Sequence, residues 1–231
     1  MRLRCRLDFA AAVASAVPGD DLVGVGGDLA PETLLSAYTH GVFPMGVGGG
    51  GSGPVGWWFP EERGVLLPGG LHVSRSLRRS MRAFTLTTDA AFDDVVAACA
   101  DPRREGAWIT PTVRRAYGRL HRLGHAHSVE VWQESRLVGG LYGVGIGGFF
   151  AGESMFHHVT DASKAAMVGM ARVMDVVGER GLVDVQWRTD HLASMGVTTL
   201  PRAEYLRRLD AATDEDDPWR RAAPVANSDV G

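Results

Sequence analysis

Apolar positions at Leu34, Leu35, Ala37 and Tyr38 fall at helical spacing behind Asp28-Leu29-Ala30-Pro31-Glu32, where a capping carboxylate and a first-turn proline predict a helix start. Gly41 ends that helix, and Phe43-Pro44-Met45 leads into a glycine-rich loop over 46–54, read as flexible and outside any core. Trp57-Trp58-Phe59-Pro60 follows. From Phe84 the chain alternates strand and helix. Strands are expected at Phe84–Thr87, Ser128–Trp132, Leu137–Tyr142, Gly148–Phe150 and Val183–Trp187. Helices are expected over Ala91–Ala100, from Pro111 to near Gly124, from a Thr160 or Asp161 cap to Gly181, and over Pro201–Leu209. In the third of these, Met167, Met170, Val173, Met174 and Val177 form one apolar stripe. This order predicts an α+β fold with a small N-terminal domain over 1–62, a larger domain over 63–209 and a disordered acidic tail over 210–231.

The steepest change in the pattern lies between Val138 and Gln186. An apolar, glycine-rich run, VGGLYGVGIGGFFAG, passes directly into Glu153-Ser154-Met155-Phe156. A carboxylate after such a run is costly to desolvate unless a cation or hydrogen-bond donors meet it, so Glu153 reads as a group awaiting a ligand. Asp184 and Gln186 are two apart in a strand pattern and therefore share a face, opposite Val183, Val185 and Trp187. From the residues alone, that polar face is more simply a solvated one.

Composition narrows the class. At 231 residues with 45% hydrophobic content, the chain can bury a sizeable core. Cys5 and Cys99 are too few for a disulfide framework or a thiolate zinc site, which favours the cytosol. Met1 to Pro18 imitates a signal peptide, but Asp8 interrupts it, so it reads as a mature N-terminus. No run reaches the roughly 20 apolar residues of a membrane helix, and no membrane association is expected.

The net charge of −3 hides an asymmetry: Asp210, Asp214, Glu215, Asp216, Asp217 and Asp229 crowd the tail, leaving the remainder mildly basic. Arg75, Arg78, Arg79 and Arg82 fall within about three helical turns, and Arg103, Arg104, Arg114, Arg115, Arg119 and Arg122 form a second cluster. Both could meet phosphates. A solvated face is the reading favoured by charge alone, in a chain whose single lysine is Lys164.

Several motifs fail on context. Two G-x-G-x-x-G matches, at Gly143, Gly145, Gly148 and at Gly46, Gly48, Gly51, open no helix, so dinucleotide binding is rejected. Gly152-Glu153-Ser154-Met155-Phe156 has Phe156 where a nucleophile elbow needs glycine. His121, His125 and His127 lack a carboxylate or thiolate to complete a metal site and read as structural.

The ordered series VGVGGDL (23–29), AYTHGVFP (37–44), Trp57-Trp58, LHVSRS (71–76), EGAWIT (105–110), LGHAHSVEVW (123–132), LVGGLYG (137–143), GESMF (152–156), DASK (161–164) and HLASMG (191–196) resembles the bacterial leucyl/phenylalanyl-tRNA-protein transferase family. The resemblance spans residues 23 to 209. It implies an acetyltransferase-like (GNAT-like) core in the larger domain. It also implies transfer of leucine or phenylalanine from aminoacyl-tRNA to proteins beginning with arginine or lysine, a cytoplasmic N-end rule step that marks them for degradation. Such an enzyme needs no metal or cofactor and is expected to act as a monomer.

By resemblance, Glu153 matches the glutamate near the donor's ammonium group, and Asp184 with Gln186 the pair that orients or deprotonates the attacking amine. Leu141, Phe150, Gly152, Met155 and Val183 match an apolar pocket for the donor side chain, which admits leucine and phenylalanine, with methionine next, and excludes β-branched residues. Tyr38, Trp57, Trp58 and Trp108 are candidate platforms for the terminal adenosine, with buried core the competing reading for Trp57 and Trp58. Arg75, Arg78, Arg79 and Arg82 would hold acceptor-stem phosphates.

The chain departs from the family pattern at Met45, where tryptophan is common, in its longer glycine-rich loop, and at Trp187-Arg188-Thr189. Two other classes stay open. A CoA-dependent N-acyltransferase would need a glycine-containing pyrophosphate loop in the Glu153–Lys164 junction. A non-catalytic tRNA-binding relative would have no need of Glu153, Asp184 and Gln186.

Overall fold

The computed structural model describes residues 7–51, 53–104 and 107–220. The N-terminal unit comprises α1 (Phe9–Ala14), β1 (Leu22–Val25), α2 (Pro31–Thr39), β2 (Phe43–Gly46) and β3 (Val55–Trp58). Its strands form an antiparallel sheet in the order β1-β3-β2. These short strands carry no clear alternation in sequence. Trp57, fully buried, organises them: its indole N–H donates to the Gly26 carbonyl at 2.8 Å and its ring meets Phe9 edge-on.

The larger unit follows as β4 (Glu62–Leu66), α3 (Arg75–Ser80), β5 (Thr85–Thr88), α4 (Phe92–Cys99), α5 (Pro111–Arg122), β6 (Ala126–Gln133), β7 (Arg136–Ile146) and β8 (Phe149–His157). It closes with α6 (Ala162–Met174), β9 (Leu182–Gln186), α7 (Asp190–Ala193), β10 (Thr198–Pro201) and α8 (Arg202–Thr213). Among the described residues it holds a seven-stranded sheet in the order β10-β4-β9-β8-β7-β6-β5. Neighbours run antiparallel except β8 and β9, which are parallel and joined through α6. Alternation along β8 divides the core between the faces of the sheet. Phe149 and Ala151 join the apolar layer that includes residues of α2, α4, α5 and α8, whereas Phe150 joins that of α3 and α6.

Most predicted elements have counterparts in the structure, but the helix expected to reach Gly181 ends at Met174, where a 3-10 stretch broken at Gly178 follows, and other elements differ too. The strand expected at Gly148–Phe150 continues to His157 and carries Glu153 within it. The glycine-rich loop is packed rather than loose where described: a Cβ on Gly51, at φ +67°, would collide with the Trp108 carbonyl oxygen, so only glycine permits this approach. Ser52 of that loop, Glu105-Gly106 and Cys5 lie outside the described residues.

The expectation of disorder from residue 210 onward is corrected over its first part. α8 runs to Thr213, and Trp219 is buried between His127 and Phe150, with both ring centroids at 4.8 Å. One large apolar ring outweighs the acidic composition around it. Residues 221–231 lie outside the described residues. No helix among the described residues is long and apolar enough to cross a membrane.

Candidate active site at the parting of two strands

Strands β8 and β9 pair only through Phe149, Phe150 and Ala151, opposite Leu182, Val183 and Asp184. Beyond Ala151, β8 continues along β7 while Asp184 and Gln186 turn to β4. The strands therefore part at Gly152, and the polar residues singled out in the sequence lie around that parting. Two irregularities aim them. Against β7, Tyr142 pairs with Ser154 and Gly143 with Gly152, leaving Glu153 as the extra residue of a bulge. Against β4, Gly64 pairs with Gln186 and Val65 with Asp184, leaving Val185 extra, and Gln186 sits at φ +60°.

Glu153 is met by two phenols. Tyr38 of α2 donates to its Oε1 at 2.7 Å and Tyr117 of α5 to its Oε2 at 2.8 Å, while the two hydroxyls lie 2.6 Å apart. Burial pushes the Glu153 carboxyl up to about 7, against these hydrogen bonds, which favour the charge. Asp184 adds a smaller upward push and Arg63 a smaller downward one. Glu153 thus stands near the midpoint of its titration at neutral pH. Tyr142 lies beside this cluster, edge-on to Tyr117 at 5.5 Å, and its buried hydroxyl has no partner among the described residues.

Asp184 presents a different environment. Its Oδ1 accepts from Arg63 Nε and the Gln186 backbone N–H, both at 2.8 Å. Its Oδ2 accepts from Arg63 Nη2 at 2.6 Å and the Tyr205 hydroxyl at 2.9 Å. The Arg63 guanidinium is itself enclosed: Nη1 donates to the Gly41 carbonyl, and Phe43 and Tyr205 cover it at 4.6 Å each. Burial, the largest single influence, opposes the Arg63 charge, but Asp184 together with Tyr205 and Glu153 outweighs it and moves the guanidinium pKa upward. With four donors in place, the Asp184 carboxylate has the geometry of an anchor. Gln186, only 8% exposed, keeps a buried Nε2 without a partner among the described residues.

The other expected residues divide. Leu141, Phe150, Met155 and Val183 belong to one apolar cluster on the α3/α6 face, and Gly152 is half-buried at the parting. Trp108 is half-buried and, with Met45 and the glycine-rich loop, lines a cavity of about 410 Å³ between the two units. Trp58 is half-buried, its indole N–H bonded to the Met45 carbonyl at 3.2 Å. Arg75, Arg78, Arg79 and Arg82 are exposed on α3 and the turn after it.

Two stacking platforms are withdrawn. Trp57 is the core of the N-terminal sheet with no free face, and Tyr38, 1% exposed, offers its hydroxyl to Glu153 rather than a ring to a base. Arg63, Tyr117 and Tyr205 were not foreseen. The sequence signal for Arg63 was an arginine directly before GVLL, where alternation from exposed Glu62 turns it inward.

The histidines anchor structure. His127 Nδ1 lies 2.7 Å from Asp89 Oδ2, and His121 Nδ1 lies 2.8 Å from the Ala126 carbonyl oxygen.

Two family models match the chain: leucyl/phenylalanyl-tRNA protein transferase over residues 65–210, and the N-terminal domain of that transferase over 27–61. Among similar curated proteins is a leucyl/phenylalanyl-tRNA–protein transferase of Chromohalobacter salexigens, 46% identical over 98% of this chain and 89% of its own length. Proteins of the same name from Edwardsiella ictaluri and Anaeromyxobacter sp. are 49% and 50% identical, covering 81% and 84% of this chain and 77% and 83% of their own lengths.

Proposed function

The chain belongs to the leucyl/phenylalanyl-tRNA protein transferase family, and on that premise we propose that it moves leucine or phenylalanine from aminoacyl-tRNA to the α-amine of proteins beginning with arginine or lysine. The observation that carries this reading is the Glu153 carboxyl, held by two phenols at the parting of β8 and β9, with Gln186, whose side-chain amide has no partner among the described residues, on the neighbouring strand β9.

The donor is an ester, already activated, and the nucleophile is an amine with an ordinary pKa of about 7.7–8.0, a useful part of which is neutral near pH 7.5. Position rather than a strong base is the main requirement. Glu153 receives the donor's ammonium group, which stabilises the carboxylate and completes its ionisation. The donor side chain enters the apolar cluster of Leu141, Phe150, Met155 and Val183, with Gly152 leaving room at the mouth. A cavity of this kind distinguishes one methylene by only about 1–3 kcal/mol, consistent with two accepted donors. Gln186 hydrogen-bonds the reacting groups through its side-chain amide, and Asp184 with Arg63 fixes the backbone that presents it. As the amine attacks the ester carbonyl, the ribose oxygen leaves with the electron pair of the broken ester bond, and the amine's proton passes to solvent or to that oxygen. Trp108 and Trp58 face the terminal adenosine, and the α3 arginines hold phosphates.

We assign the larger unit to the acetyltransferase-like folds, supported by the β8–α6–β9 crossover and the parting of its parallel pair. A CoA donor fits poorly. The α6 N-terminus, where a pyrophosphate would sit, carries the Asp161 carboxylate, bonded by Ser80 at 2.8 Å and 3.4 Å from Lys164. The protein acts as a single chain in the cytoplasm, creating an N-terminal degradation signal. A buried free Cys99 is in keeping with the cytoplasm.

Mass spectrometry of an Arg-initiated peptide after incubation with phenylalanyl-tRNA tests the reaction. One added phenylalanyl residue is expected. An unchanged peptide with every charged tRNA would overturn the proposal, and acetylation from acetyl-CoA would put the CoA reading in its place.

A further inference from the structure

Beneath α3, on the face of the sheet that carries the donor-pocket cluster, lies a cleft of about 290 Å³. Its walls are apolar, among them Leu66, Leu71, Met81 and Val168. Two arginines from different helices reach it, Arg78 of α3 and Arg172 of α6. Arg172 is half-buried, and its Nη1 is shut away from water without a hydrogen-bond partner among the described residues. A buried guanidinium N–H left unpaired is destabilising, so the arrangement is incomplete as it stands. Asp175 also lines the cleft, one turn after Arg172, yet forms no ion pair with either arginine. The cleft therefore presents two arginines and one carboxylate, with no ion pair between them among the described residues.

Val183 gives this cleft its meaning, because it lines the cleft and also belongs to the cluster assigned to the donor side chain. Through Val183, which pairs with Phe150, the cleft adjoins the parting of β8 and β9. We propose that Arg172 is a phosphate-binding residue for the donor tRNA, closing with Arg78 on one backbone phosphate while the apolar wall accommodates the adjoining ribose. The inference rests on the transferase reading. It adds an α6 residue to a contact otherwise expected from α3 alone.

Two readings compete for Arg172: a contact to an RNA phosphodiester, or a side chain that serves the fold alone. Binding of uncharged tRNA, followed by fluorescence anisotropy between 50 and 200 mM salt, separates them without requiring turnover. Arg172→Gln is expected to weaken binding and reduce the salt slope by about 0.7–0.9, the signature of one lost phosphate contact, with Arg172→Lys intermediate. Transfer from the minimal donor 3′-O-phenylalanyl-adenosine, which lacks that phosphate, should stay at wild-type rate, and this also shows that the variant folds. An unchanged slope in Arg172→Gln would leave Arg172 to the fold alone and overturn the inference. Equal loss with the minimal donor would overturn it too, placing Arg172 in support of the pocket. Failure of the wild-type protein to bind any tRNA would instead bring down the transferase reading itself.

Discussion

Replacing Arg63 with methionine tests the claim that Asp184 is an anchor rather than a free base. In the wild-type protein the two side chains are 1% and 0% exposed and joined by two hydrogen bonds, at 2.8 and 2.6 Å. Methionine fills much of the space but leaves the carboxylate buried with only the Tyr205 hydroxyl and the Gln186 N–H, and strands the Gly41 carbonyl. Breaking one side of a buried ion pair costs about 3–5 kcal/mol. At about 2–4 °C per kcal/mol for a chain of this size, the melting temperature should fall by about 6–20 °C. Urea unfolding of Arg63→Met, Asp184→Asn and the double variant gives the coupling directly. The double variant should be less destabilised than the sum of the single changes, by up to about 3 kcal/mol. A loss below about 1 kcal/mol in Arg63→Met, or additive single effects, would mean that water reaches Asp184 and that it is available as a base.

Glu153→Gln has a stability effect whose sign depends on pH. The folded carboxyl titrates near 7 against an ordinary 4.5, so the native state holds the extra proton and wild-type stability declines between those values. Relative to wild type, the variant should gain up to about 3 kcal/mol as pH rises from 5 to 8, and a pH-independent difference in urea midpoints would refute this. Tyr142→Phe removes a buried hydroxyl that lacks a described partner and should stabilise by roughly 1 kcal/mol in the same assay; a loss of stability would reveal a partner. Trp219→Ala empties the space against Phe150 and His127 and should cost about 3–5 kcal/mol, with a shift in the ratio of leucine to phenylalanine transfer. Wild-type stability after truncation at Asp217 would show that this ring does not support the core.

Periodicity disclosed what depends on near neighbours in the chain. α2, α4, α5 and α6 were legible because caps and apolar stripes act within a few residues, and Glu153 stood out because a carboxylate interrupts an apolar run. Contacts between distant segments left no such trace. Arg63 and Asp184 are 121 residues apart, and Tyr38 and Glu153 are 115 apart. Their pairing exists only once α2 and β4 close on the sheet. The same limit explains the reading of Tyr38 as a stacking platform, since helical spacing shows which face is buried but not what its hydroxyl meets. The bulge that aims Glu153 needs β7 as its partner, and Trp219 looked like part of an acidic tail because composition averages away one large apolar ring.

The central claim is that the chemistry lies with Glu153 and Gln186 at the parting of the strands, and that Asp184 serves it structurally. Steady-state transfer of phenylalanine from tRNA to an Arg-initiated peptide, compared for wild type, Glu153→Gln and Gln186→Ala at matched folded fractions, tests it most directly. Loss of a charge-assisted contact worth about 1.5–3 kcal/mol predicts kcat/KM reduced by about 10- to 150-fold in Glu153→Gln, with a clear reduction in Gln186→Ala. Undiminished transfer by either variant would contradict the account.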